Sequence, residues 1–89
     1  MADTAAGPGT VLIRYFAAAE EAAGVAEESA PVAEGTTLAD LLEQASARHP
    51  GLAAALPACS YLVATVSGRP TTPVPAGAVV DVLPPFAGG

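Results

Sequence analysis

At 89 residues the chain has room for one domain with one thin core, which argues against an enzyme with its own deep active-site cavity. Its hydrophobic content is 52%, much of it alanine, and its formal charge is −6, from nine acids against three arginines and no lysine. That balance argues against nucleic acid or an anionic membrane as partner, since phosphate binding needs a cationic footprint, and suits docking to a basic protein surface.

Residues 1–9 read as a flexible leader and residues 10–89 as the folded domain. The leader, MADTAAGPG, has neither the basic nor the apolar region of a signal peptide, and no apolar run reaches membrane-spanning length, so a cytoplasmic location is expected. Thr10–Phe16 (TVLIRYF) is rich in β-branched and aromatic residues and reads as a strand. Alternation puts Val11, Ile13 and Tyr15 on one face and Leu12, Arg14 and Phe16 on the other. Ala17–Gly24 (AAAEEAAG) predicts a short helix that stops at a glycine. Glu28–Gly35 offers a weak strand, and Pro31 assigns it to a sheet edge.

Thr37 and Asp40 form the [ST]-x-x-[DE] start of a helix, and Leu38, Leu41, Leu42 and Ala45 recur on one of its faces. Pro50 and Gly51 end it, with His49 in the last turn. Gly51–Cys59 reads as a helical turn or loop with Leu52 and Leu56 inward. Tyr61–Gly68 predicts one continuous strand with Leu62, Ala64 and Val66 on one face. Arg69–Gly77 holds three prolines, so any strand there is short. Ala78–Leu83 is the last strand, with Val80 and Val82 inward and Asp81 and Leu83 outward. A mixed sheet covered on one face by one long helix is an α+β layer arrangement, and its element order is that of the ubiquitin-like β-grasp.

The usual chemical groups are sparse. One histidine and one cysteine do not make a metal site, and none is expected. His49 reads as an exposed helix-end residue, and Cys59 as a small buried hydrophobe in an alanine-rich stretch. Glu20–Glu21 and Glu27–Glu28 read as solvated faces rather than paired catalytic carboxylates. What remains is the end, LPPFAGG. Pro84 and Pro85 prevent the last strand from continuing in a regular ladder, Phe86 is a large apolar residue placed for a partner, and Ala87, Gly88 and Gly89 form a thread of minimal cross-section. Such a thread can enter a narrow channel and present a terminal carboxylate there. A frayed terminus is the plain alternative.

The segment IRYFAAAEEAAGV, the TLADLL helix start and the LPPFAGG ending together resemble the MoaD/ThiS family of sulfur-carrier proteins, and within it the molybdopterin-synthase branch. The resemblance spans residues 10–89 and implies a ubiquitin-like β-grasp with an extended tail at 84–89. It further implies that a ubiquitin-activating-type (MoeB-like) enzyme uses ATP to adenylate the Gly89 carboxylate, behind Gly88. Sulfur from a persulfide donor then converts it to a thiocarboxylate. That sulfur is expected to pass to a pterin precursor of molybdenum cofactor inside a larger MoaE-like catalytic subunit of molybdopterin synthase, in a heterotetramer. The chain itself binds no cofactor and is not catalytic alone. Phe16, Leu83, Pro84, Pro85, Phe86 and Ala87 are the expected docking residues, though Phe16 fits ordinary core packing equally well.

Two departures fall on loops: Ser67 where an Asn is frequent in the family, and Gly77-Ala78 where a Gly-Asp turn is frequent. Carriers for thiamin or cysteine synthesis share the same tail chemistry. A ubiquitin-like protein modifier and a binding domain with an inert tail are the alternatives from other classes.

Overall fold

The computed structural model describes residues 9–85. Strand β1 (Thr10–Tyr15) forms where alternation predicts it, and helix α1 (Ala17–Ala23) follows. Gly24 closes α1 in the left-handed region, φ 82°, with its N–H donating to the Glu20 carbonyl, a conformation a Cβ would strain. Strand β2 (Glu27–Pro31) lies at the sheet edge, where Pro31 breaks no interior ladder. Helix α2 (Leu38–Arg48) starts on a complete capping box: the Thr37 hydroxyl accepts from Asp40 N–H, and the Asp40 carboxylate accepts from Thr37 N–H. Helix α3 (Leu52–Ala55) runs into a 3₁₀ turn (Leu56–Ala58), which leads to β3 (Ser60–Val63), β4 (Val66–Ser67) and β5 (Val79–Leu83).

The strand order is β2-β1-β5-β3-β4. The first and last strands are neighbours at the centre and run parallel, Leu12–Tyr15 against Val79–Val82; every other pairing is antiparallel. This mixed sheet with helices on one face is the expected α+β, β-grasp architecture. Val11, Ile13, Tyr15, Val63, Val80 and Val82 point to the helical side and are buried with Leu38, Leu41, Ala45 and Leu52. Alanines complete that core: Ala19 and Ala23, four apart on α1, are both buried, and their small side chains let the helix lie close to the sheet.

One expected strand is two. Tyr61–Gly68 folds back as a hairpin, β3 and β4, around Ala64 and Thr65, which hold φ of 51° and 68°. Two consecutive positive φ values are the geometry of a tight two-residue turn, which Asn-Gly normally signals and Ala-Thr does not. The turn also breaks the single face expected for Leu62, Ala64 and Val66. Val63, paired with Val80, goes inward, while Leu62, paired with Asp81, lies on the opposite face, and Val66 is exposed. Among the described residues no helix is long and apolar enough to cross a membrane.

Candidate functional site

Because β5 is central, the chain leaves the sheet at Leu83 beside the end of β1. There Phe16, Ala17, Ala18, Ser60, Leu83 and Pro84, with Pro85, line a mostly apolar groove of about 590 Å³. Phe16 follows β1 in extended conformation and its N–H donates to the Val82 carbonyl at 3.2 Å, so strand parity throws its ring onto the face without helices. Its exposure of 39% rules out ordinary core packing. The structure thus brings together Phe16, Leu83, Pro84 and Pro85. Phe86, Ala87, Gly88 and Gly89 lie outside the described residues.

Beside the groove the open face carries an ion pair. Arg14 donates from Nε to Asp81 Oδ1 at 2.7 Å and from Nη2 to Oδ2 at 3.1 Å, and its guanidinium lies 5.7 Å from the Phe16 ring centre. Asp81 is 6% exposed, the sole buried charged residue among those described. Hydrogen bonding to Asp81, and then its charge, raise the Arg14 pKa further above its ordinary value. Parity places Arg14 with Phe16 and Asp81 with Leu83. Their pairing becomes visible only once β1 and β5 are known to be adjacent, and so sequence reasoning missed it. It also missed Ala17, Ala18 and Ser60, whose small side chains carry no signal of a groove wall.

Two sequence readings are corrected on the helical side. Glu28 is not a solvated acid: one carboxylate oxygen meets Tyr15 Oη at 2.6 Å, His49 Nε2 at 2.9 Å and Arg48 Nη2 at 3.4 Å. His49 is correspondingly not an exposed helix end; it is half-buried and sits edge-on to Tyr15, ring centres 6.2 Å apart. Burial alone pushes the Glu28 carboxyl up, but hydrogen bonds from Tyr15, His49 and Arg48 outweigh it and leave the group below the usual carboxylate range. Burial, and then the bond to Glu28, push the Tyr15 phenol well above its ordinary value.

This cluster ties edge strand β2 to the end of α2 and reads as structural. Cys59 is half-buried, donates to the Ala55 carbonyl at 3.3 Å, and has a thiol pKa raised by burial, the opposite of an activated nucleophile. Among the described residues no group of three or more His, Cys, Asp or Glu could hold a metal ion. A concavity of about 690 Å³ near the start of β1, lined by Val32, Pro73 and Val74 among others, has Glu34 as its one ionisable lining residue.

The sequence model of the ThiS family matches residues 13–89, from the middle of β1 through the glycines. The chain belongs to the ThiS family. It is 32% identical over 81 residues to the molybdopterin synthase sulfur carrier subunit of Chlamydomonas reinhardtii, covering 89% of this chain and 98% of that protein. Among solved structures it is similar to a Pyrococcus furiosus protein assigned as molybdopterin converting factor, subunit 1: 27% identity, TM-score 0.78, covering 86% of this chain and 98% of that one. Small archaeal modifier protein 1 of Haloferax volcanii shares the fold, with TM-score 0.84 at 22% identity, covering 91% of this chain and 100% of that one. Family membership thus agrees with the β-grasp sheet and directs attention to the groove where the tail begins.

Proposed function

We propose that this ThiS-family chain is the sulfur carrier subunit of a molybdopterin synthase, with Gly89 as the terminal residue that bears the sulfur. The observation carrying this reading is its similarity, over 89% of its length, to the Chlamydomonas protein of that name. The chemistry suits the residues. A free carboxylate resists nucleophiles; attack of the Gly89 carboxylate on the α-phosphorus of ATP, in a MoeB-like partner, expels pyrophosphate and turns AMP into a leaving group. The terminal sulfur of a donor persulfide displaces AMP, and a second thiol cleaves the acyl disulfide, forming a disulfide with the donor and leaving the Gly89 thiocarboxylate. Gly88 and Gly89 present no side chain to the nucleotide or to a channel.

Geometry gives the groove its part. Four residues beyond Pro85 span at most about 14 Å, so Gly89 stays within that distance of Pro85. A large MoaE-like subunit that admits Gly89 to its active site must therefore bring its surface close to the groove of Phe16, Leu83, Pro84 and Pro85. Docking then holds the thiocarboxylate against the pterin precursor at an effective concentration of ~10⁵ M or more. General acid and base groups come from the large subunit, two copies of each chain forming a heterotetramer.

Intact mass spectrometry after incubation with the activating enzyme, ATP and a persulfide donor tests the reading. The expected result is replacement of one oxygen by one sulfur at Gly89, lost when Gly88 and Gly89 are deleted. Full sulfur delivery by the truncated chain overturns it, and recovery of Gly89 joined to lysines of other proteins replaces it with the modifier reading.

A further inference from the structure

Three residues other than glycine hold a positive φ among those described: Ala17 at 50°, Ala64 at 51° and Thr65 at 68°. A Cβ in this region crowds the backbone, whereas glycine adopts it freely. The chain does use glycine for such turns, at Gly9, Gly24, Gly35 and Gly77. Ala64 and Thr65 form the β3–β4 turn, at the end of β5 away from Leu83. Ala17 sits elsewhere. It follows Phe16, which is extended (φ −115°, ψ 146°), and its left-handed turn sends the chain at once into α1, so that the Phe16 carbonyl accepts from Ala19 and Glu20 N–H. Glycine would make the same turn without strain. What glycine would lack is the exposed methyl, which lines the apolar groove beside Phe16, Leu83 and Pro84.

We propose that Ala17 is a partner-contact residue, its methyl held in the groove wall against backbone strain so that it is covered by the protein that receives Gly89. Backbone strain of this kind clusters at functional sites, though turns such as Ala64–Thr65 also carry it. The occupant is the large subunit of molybdopterin synthase, and the inference rests on the functional reading above in that respect. The reach of the tail supplies the reason: Gly89 is never more than about 14 Å from Pro85, on the rim of the same groove, so the receiving protein lies against this wall.

The test compares Ala17→Gly, Ala17→Ser and Ala64→Gly with the full-length wild-type chain, binding each to the cognate large subunit by titration calorimetry and melting each alone. Ala17→Gly is expected to melt no lower than wild type, because strain is relieved, yet to bind about three- to tenfold more weakly, as loss of one buried methyl dictates. Ala17→Ser keeps a Cβ and stays within about twofold of wild type, and Ala64→Gly binds as wild type does. A purely structural residue would move stability and affinity in the same direction. Equal affinity of Ala17→Gly and wild type overturns the proposal, as does a parallel fall in melting temperature and affinity. If wild type itself does not bind the large subunit, the functional reading falls and takes this proposal with it; if wild type binds and Ala17→Gly matches it, Ala17 alone is wrongly assigned.

Discussion

The two faces of the one sheet are made by alternate residues of the same strands, yet they do different work. On the helical face Val11, Ile13, Val80 and Val82 have no exposure at all and meet Leu38, Leu41 and Leu52. On the other face Leu12, Leu62, Val79 and Leu83 are only half-buried, Phe16 is exposed, and the centre is held by the Arg14–Asp81 ion pair. No described helix covers that second face. The period of two in a strand lets one sequence stretch build both: Val11, Ile13 and Tyr15 of β1 fill the core, while Leu12 and Arg14 lie on the other face. On the proposed docking, stability and recognition are separated in this molecule one residue at a time.

Substitutions at the two faces test that separation. The largest effect on stability is expected at the helical face: Leu41→Ala removes a fully buried side chain and costs about 2–5 kcal/mol in chemical denaturation. That loss destabilises the whole domain rather than selectively weakening docking. Phe16→Ala should do the reverse, changing folding stability by less than about 0.5 kcal/mol while weakening binding to the proposed large-subunit partner about tenfold or more. If Phe16→Ala destabilises the isolated chain as much as Leu41→Ala does, the division between faces is wrong.

A smaller and pH-dependent effect belongs to Glu28. Its folded pKa lies below its ordinary value of 4.5, so the unfolded chain binds protons more readily at low pH. Glu28 therefore adds stability above that value and loses it as pH falls through the folded pKa. Glu28→Gln should cost about 1–2 kcal/mol at neutral pH and flatten the acid side of a plot of melting temperature against pH. Tyr15 acts at the other extreme. Its folded pKa is raised above the ordinary 10.0, so its stabilising contribution is whole below pH 10 and disappears as pH rises beyond it. Tyr15→Phe should reduce that alkaline loss.

Much of the fold was legible because local rules coincide with it. The β-branched alternation of Val11, Ile13 and Tyr15, the Thr37–Asp40 capping box and the Gly24 stop are all short-range signals, and each matches the structure. The β3–β4 turn was not legible, because Ala64 and Thr65 carry no turn chemistry, so Tyr61–Gly68 read as one strand instead of two. Glu28 and His49, 21 residues apart, meet only through the packing of α2 against the sheet, and their pairing has no sequence-local trace. The candidate site divides in the same way. Phe16, Leu83, Pro84 and Pro85 stand out by type and parity, whereas Ala17 stands out only by a backbone angle that an alanine-rich sequence conceals.

The central place of β5 also has a mechanical consequence. It is flanked by β1 on one side and β3 on the other, with four paired residues in each ladder. Traction on the segment beyond Leu83 runs along β5, while the backbone bonds that hold it lie across the strand. Both ladders are thus loaded together in shear, and cannot be peeled one bond at a time. A strand at the edge would have one ladder to resist the same pull. A partner that grips the segment beyond Leu83 can tug on it, and release it, while the domain behind stays folded.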